Sequence, residues 1–328
     1  MHIKKLLNFT ILFILLIEII IIVFLIEHIT KKQNDTIDVF FVNNKHYVYN
    51  LSPRYKYYYE LKPNRKIDNL IPTPDWLRYK PIYTINKDGL HERYDYSVEK
   101  PKKTFRIAAL GDSFTFGLFV NTNDNYPEQL EDLLNETIHC KNIQKFEVIN
   151  LGINGYDLPY AAERYKLKGE KYNPDLILWL IKDEDFKWLN EGLKPKLQYY
   201  ESKLSAEQRS KQNSPVWIDV WNRAKEDYLK DYDDKKIRDI NQNALYPMKD
   251  YSGEIIFLGI PYYSDAKKYK TMIHEFILTK KSSYFYELPN IRTKDGVFLE
   301  SHPNKKGYTL IAQSIMNYLM KNNLIQCN

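Results

Sequence analysis

Cysteine is scarce. The chain has two in 328 residues, Cys140 and Cys327, with no CxxC and no Cys/His pair at metal-ligand spacing, so no metal centre is expected. Their positions allow a disulfide without implying one. A block of one charge is also missing. The 48 Lys and Arg are interspersed with 42 Asp and Glu, and the net +6 forms no basic track, so nucleic-acid binding is not expected. No internal repeat or low-complexity tract occurs. With 44% hydrophobic residues there is material for one sizeable core and an appendage, so disorder is not expected for most of the chain.

Charge is nearly absent from one long stretch, in which Glu18 is the single ionisable residue, and that scarcity is informative. Leu6 to Ile26 is almost wholly apolar. About 21 residues at a rise of about 1.5 Å cross a hydrocarbon core of about 30 Å. The run ends in Leu25-Ile-Glu-His-Ile-Thr-Lys-Lys32 with no small-x-small cleavage site, so it reads as an uncleaved transmembrane anchor over residues 6–28. A short N-terminal tail is expected inside, with the rest on the extracytoplasmic side. Residues 31–103 follow as a polar, Tyr-rich and Pro-punctuated stalk or strand-bearing preface, without the helical periodicity of a coiled-coil spacer.

From residue 104 short apolar runs alternate with helical patterns. Thr104 to Leu110, Phe146 to Leu151, Asp175 to Ile181, Glu254 to Ile260 and Ser283 to Leu288 read as strands. Asn125 to Asn135, Pro159 to Glu170, Ser264 to Leu278 and Lys306 to Lys321 read as helices. Near-continuous apolar strands separated by helices predict an α/β fold with a parallel sheet covered on both faces. The rhythm breaks over residues 187–251, which are charged, aromatic and helix-prone and read as a helical insertion in the 104–328 domain.

In such a sheet ligands bind beyond the carboxyl ends of the strands. Gly111-Asp112-Ser113 follows the first strand and would present a hydroxyl beside backbone N–H groups. Gly152-Ile-Asn154-Gly155 follows the second and offers a backbone N–H and a carboxamide. Asp183-Glu184-Asp185 follows the third, and Glu300-Ser-His302-Pro-Asn304 lies near the end. A serine needs a base to take its proton, and the base needs a group that fixes its tautomer. His302 is the histidine placed to serve, with Glu300 two residues earlier as its acid. The tyrosine runs, Tyr57 to Tyr59 and Tyr199 to Tyr200, read as packing before they read as a sugar platform.

Gly111-Asp-Ser-Phe-Thr115, Gly152 and His302-Pro-Asn304-x-x-Gly307 resemble, in order and across about 200 residues, blocks of the SGNH/GDSL hydrolases. Lys62-Pro-Asn64 and Ile85-Asn-Lys-Asp-Gly89 resemble the preface of membrane-anchored bacterial members. The resemblance implies a flavodoxin-like three-layer α/β/α sandwich. It also implies a Ser113 nucleophile, a His302 base and an oxyanion hole drawing on Gly152. The third-block asparagine falls at Glu184, a carboxylate, which leaves Asn154 as a substitute donor. The family's acid position, three residues before the histidine, is held by Leu299, so Glu300 is the substitute and Asp295 the reserve. The function expected is a membrane-anchored serine esterase removing O-acyl groups, acetyl among them, from an envelope glycan or lipid, with no cofactor. Two alternatives stand beside it: acyl transfer to a glycan hydroxyl through the same acyl-enzyme, and an inactive glycan-binding or scaffold module.

Overall fold

The computed structural model describes Glu18 and residues 45–68, 70, 77, 79–210, 215–261, 266–292, 298–299 and 302–327. The expected anchor, residues 6–28, lies outside them apart from Glu18. Among the described residues no helix is long and apolar enough to cross a membrane.

Five strands build the central sheet: β5 (Thr104–Leu110), β6 (Lys145–Asn150), β7 (Leu176–Ile181), β8 (Glu254–Gly259) and β9 (Ser283–Glu287). They are all parallel, in the order β6-β5-β7-β8-β9. The chain therefore starts in the middle of the sheet, goes out to one edge and returns to build the other side, the 2-1-3-4-5 order of doubly wound folds. β7 is buried along its whole length, which is why it reads as an unbroken apolar run.

Side chains alternate between the two faces. Ile107, Ala109, Leu176, Leu178, Leu180, Ile256 and Leu258 join a core with Leu130 and Leu134 of helix α2 (Tyr126–Thr137) and Ile311 and Ile315 of helix α10 (Lys305–Lys321). On the opposite parity Trp179 stacks on Phe257, with ring centroids 5.7 Å apart, and Phe257 meets Phe276 of helix α9 (Ala266–Thr279) edge-on. Helices thus cover both faces.

Among the described residues, 45–103 carry four short strands in two antiparallel pairs: β1 (Tyr47–Tyr49) with β2 (Tyr59–Leu61), and β3 (Arg65–Ile67) with β4 (Tyr83–Ile85). Tyr58 and Tyr59 are fully buried against Tyr156 and Tyr160 of the following domain. Arg106, on β5, is fully buried and donates to the Ser97 and Val98 carbonyls, which ties the end of this segment to the sheet.

Helix α3 (Leu158–Arg164) continues into a wider π turn over Tyr165–Gly169, an irregularity that the apolar pattern does not carry. The stretch expected as helical inserts four further α-helices after α4 (Asp183–Lys187): α5 (Asn190–Glu201), α6 (Ala206–Ser210), α7 (Pro215–Asp231) and α8 (Asp234–Leu245). By backbone proximity residues 195–224 form a compact unit separate from residues 45–194 with 225–328. Within it the Trp217 indole N–H donates to the Gln208 carbonyl at 3.1 Å. Cys140 and Cys327 are joined in a disulfide that closes the C-terminal tail onto the segment after α2.

Candidate active site

Ser113 opens helix α1 (Ser113–Phe116), a single turn directly after β5. Gly111 makes the approach possible. Its φ is +147°, and a Cβ there would lie 2.4 Å from Thr115 Oγ1 and 2.9 Å from the Leu180 carbonyl oxygen. Asp112 caps the turn, its Oδ1 accepting the Phe114 N–H at 2.9 Å. Gly117 ends it in the left-handed conformation at φ +85°. The Ser113 N–H lies in this first turn, where helical N–H groups have no intrahelical acceptor.

His302 comes from the other end of the chain. It sits on β11 (His302–Pro303), which pairs antiparallel with β10 (Phe298–Leu299). Its Nε2 is 2.8 Å from Ser113 Oγ, across 189 residues of sequence. A hydroxyl has one proton and a neutral imidazole one bare nitrogen, so the productive arrangement has Ser113 donating to Nε2. The imidazole packs on the Phe114 ring at 4.8 Å and edge-on to Phe119 at 5.3 Å. Burial pushes His302 down to about 4, an effect that Asp112 opposes and Lys182 reinforces. The group is therefore a neutral base throughout the physiological range.

The other expected residues fall as follows. Glu300 and Asp295, the candidate acids, lie outside the described residues. The Gly152 N–H donates to Asn150 Oδ1 at 3.0 Å. A Cβ on Gly152 would come within 2.4 Å of the Phe116 nitrogen, so glycine here lets the loop press against the Ser113 turn. Asn154 is half-buried, and its carbonyl accepts from Tyr59 Oη at 2.6 Å. Asn190 Nδ2 donates to the Gly155 carbonyl at 3.0 Å, so the loop after β6 is held from two sides. The Glu184 side chain is more than half exposed and reaches Lys182 Nζ at 3.4 Å.

Two residues that sequence reasoning passed over stand at the site. Lys182, the first residue after β7, is buried and places Nζ 2.6 Å from Asp112 Oδ2. Its position directly after a fully apolar strand is a weak cue, shared with the start of any solvated loop. His91 is fully buried beside Phe116, the last residue of α1, with ring centroids 4.4 Å apart. Its Nδ1–H donates to the Phe116 carbonyl at 2.7 Å, and Nε2 accepts from the Thr122 hydroxyl at 2.9 Å. No local pattern in residues 31–103 announces that placement.

The described residues hold no group of three or more His, Cys, Asp or Glu able to bind a metal ion. The arrangement that does exist, a buried serine hydroxyl on a half-buried imidazole at the carboxyl end of a parallel sheet, is one in which the imidazole can take the serine proton.

No family model matches the chain, and no curated protein does. Among solved structures it is similar to the psychrotrophic esterase EstA from Pseudoalteromonas sp., at 15% identity over 66% of this chain and 98% of that one, with a TM-score of 0.43. It is similar also to a family 3 carbohydrate esterase from Clostridium thermocellum, at 16% identity over 69% and 100%, TM-score 0.41. A third likeness is to a lipolytic protein described as of the G-D-S-L family, from Desulfitobacterium hafniense DCB-2, at 14% identity over 65% and 98%, TM-score 0.34. That is the family the sequence blocks resemble. Likeness at this level carries no argument for activity.

Proposed function

We propose that this chain is a serine esterase of the SGNH/GDSL type, tethered to a membrane by residues 6–28, that removes O-acyl groups from an envelope glycan or lipid. The observation that carries the proposal is the 2.8 Å contact between Ser113 Oγ and His302 Nε2. Ser113 attacks the ester carbonyl as its proton passes to Nε2. The tetrahedral oxyanion collapses and the alcohol leaves with that proton, giving acyl-Ser113. Water, deprotonated by the same nitrogen, then releases the acid. The Ser113 N–H supports the oxyanion from the first turn of α1.

The apolar N-terminal run motivates an envelope substrate. The Cys140–Cys327 disulfide supports an extracytoplasmic location, because such bonds persist in oxidising compartments. One observation favours transfer over hydrolysis: Ser113 is only 7% exposed, and excluding water from an acyl-enzyme lengthens its life for another acceptor.

The test is turnover of p-nitrophenyl acetate by the full-length chain in detergent, beside S113A and H302A. Ser113-dependent turnover supports the esterase, and acyl-enzyme that turns over only with added glycan supports transfer. Wild-type activity no greater than that of S113A defeats both.

A further inference from the structure

Beside the serine lies a buried charge cluster that the chemistry above does not use. Lys182 Nζ is 2.6 Å from Asp112 Oδ2, 2.9 Å from Asp185 Oδ1 and 3.4 Å from Glu184 Oε2. Lys182, Asp112 and Asp185 are each at most 7% exposed, whereas Glu184 reaches in from solvent. The Lys182 N–H also donates to Asp185 Oδ2 at 3.0 Å, so the lysine and Asp185 are fixed to one another twice. A buried ammonium is tolerated only where carboxylates compensate its lost hydration. Burial works against the charge here, but Asp112, Asp185 and Glu184 outweigh it and hold Lys182 well above the usual lysine range.

Asp112 has two jobs that conflict. Oδ1 caps the Ser113 turn, but Oδ2 lies 3.4 Å from Ser113 Oγ and is a second acceptor for the one hydroxyl proton. A serine donating to Asp112 is not donating to His302, and its oxygen is then not the nucleophile. Lys182 sits on the same Oδ2 atom at 2.6 Å. A charge-assisted bond there draws on the lone pairs that would otherwise compete for the Ser113 proton.

We propose that Lys182 is a positioning residue of this site: bound to Asp112 Oδ2, it keeps Asp112 as the cap of the Ser113 turn, directs the Ser113 hydroxyl to His302, and offsets the Asp112 charge at the imidazole. The proposal rests on the serine-esterase reading. Among the described residues, the charged groups acting on His302 from neighbouring elements include Asp112, ahead of α1, and Lys182, after β7, with Asp185 and Glu184 behind it. On the hairpin of His302 itself, Glu300 and Asp295 lie outside the described residues. Asp112 favours the imidazolium and Lys182 disfavours it. Removing either one therefore moves the base in opposite directions, an effect that a purely structural lysine would not produce.

The experiment uses the full-length chain in detergent, with K182M, K182R and D112N, and two readouts. The first is kcat and KM for p-nitrophenyl acetate across pH. The second is the His302 titration followed by NMR on 13C-labelled histidine, the resonance assigned by its loss in H302A. In K182M, kcat at neutral pH falls about 10- to 100-fold with little change in KM, the magnitude expected for a misdirected reacting group. The His302 titration and the acid limb of activity move to higher pH. K182R keeps both close to wild type. D112N, where asparagine still caps the turn, moves them to lower pH. Equal titrations in wild type, K182M and D112N overturn the proposal, as does a loss of kcat in K182M with no shift and no recovery in K182R. Should K182M not fold, K182Q, which also removes the charge, is read in its place, and an unshifted His302 titration in it overturns the proposal. Absence of Ser113-dependent turnover in wild type sinks the esterase reading instead, and the His302 titration continues to report on Lys182.

Discussion

Arg106→Met removes the one cation at the heart of a buried network and leaves its partner behind. The guanidinium is fully buried, with Nε 2.6 Å from Glu147 Oε2, Nη1 2.9 Å from the Tyr172 carbonyl and 3.2 Å from that of Val98, and Nη2 2.5 Å from that of Ser97. Methionine fills much of the same volume, so the cost is electrostatic more than steric. Stripping one partner from a buried ion pair costs about 3–5 kcal/mol. Glu147 keeps a second, mostly exposed partner in Lys145 at 2.9 Å, which places the expected loss near the low end, about 3 kcal/mol. Against a typical total of about 5–15 kcal/mol this shifts the folded-to-unfolded ratio by roughly 150-fold. The double variant R106M/E147L, which replaces the pair with apolar groups, should recover most of the loss. Arg106 lies near the start of β5 and Ser113 just beyond its end, about 20 Å away at the rise of an extended strand, so kcat at neutral pH should hold. Urea unfolding followed by tryptophan fluorescence measures the first effect and ester turnover the second. A loss under about 1 kcal/mol, or a double variant weaker than the single, refutes the reasoning.

The acid limb of wild-type activity should fall near pH 4, because His302 is pushed down to about 4 by burial. At pH 5 such a base keeps roughly 90% of its plateau rate, whereas a histidine titrating near 6.5 would keep roughly 3%. Half-maximal activity at pH 6 or above contradicts the burial of the base. His91, fully buried, is likewise pushed down to about 4. Between about 6.5 and 4 the unfolded chain binds a proton that the native chain does not, so stability from this group is complete above pH 6.5 and falls by up to about 3 kcal/mol as the pH drops to 4. Glu131, raised to about 7 mainly by burial, acts in the opposite sense, gaining stability as the pH falls from 7 towards 4.5, so the informative quantity is the difference from H91Q. Urea midpoints of wild type and H91Q should converge as the pH drops from 6.5 to 4, relative to their separation at neutral pH, and a constant separation contradicts the assignment.

The sheet was legible because its strands are short, apolar and separated by helical patterns, so local periodicity alone marks β5 to β9 to within a residue or two at each end. Ser113 and His302 were legible because each stands in a dense local motif at a chain position where such a sheet binds ligands. Lys182 was not, since a lysine after a strand reads as the start of a solvated loop, and only the fold brings Asp112 beneath it across 70 residues. The same holds for residues 45–103, whose link to the site runs through single hydroxyl contacts such as Tyr59 to the Asn154 carbonyl. Tyr83 and Tyr79 likewise bond the backbone of Phe119 at 3.1 and 2.6 Å. Phe119 holds φ +70° and packs against His302. Such long-range bonds leave no periodic trace. Nor does a pair of cysteines 187 residues apart announce that it will meet.

The central claim, that Ser113 is a nucleophile served by His302, is tested most directly by mapping covalent modification. The full-length chain is treated with a fluorophosphonate at neutral pH, digested, and its peptides read by mass spectrometry. The account predicts a single phosphonyl adduct on the peptide carrying Ser113, absent in S113A and formed far more slowly in H302A. An unmodified Ser113, or one that reacts equally fast without His302, would contradict it.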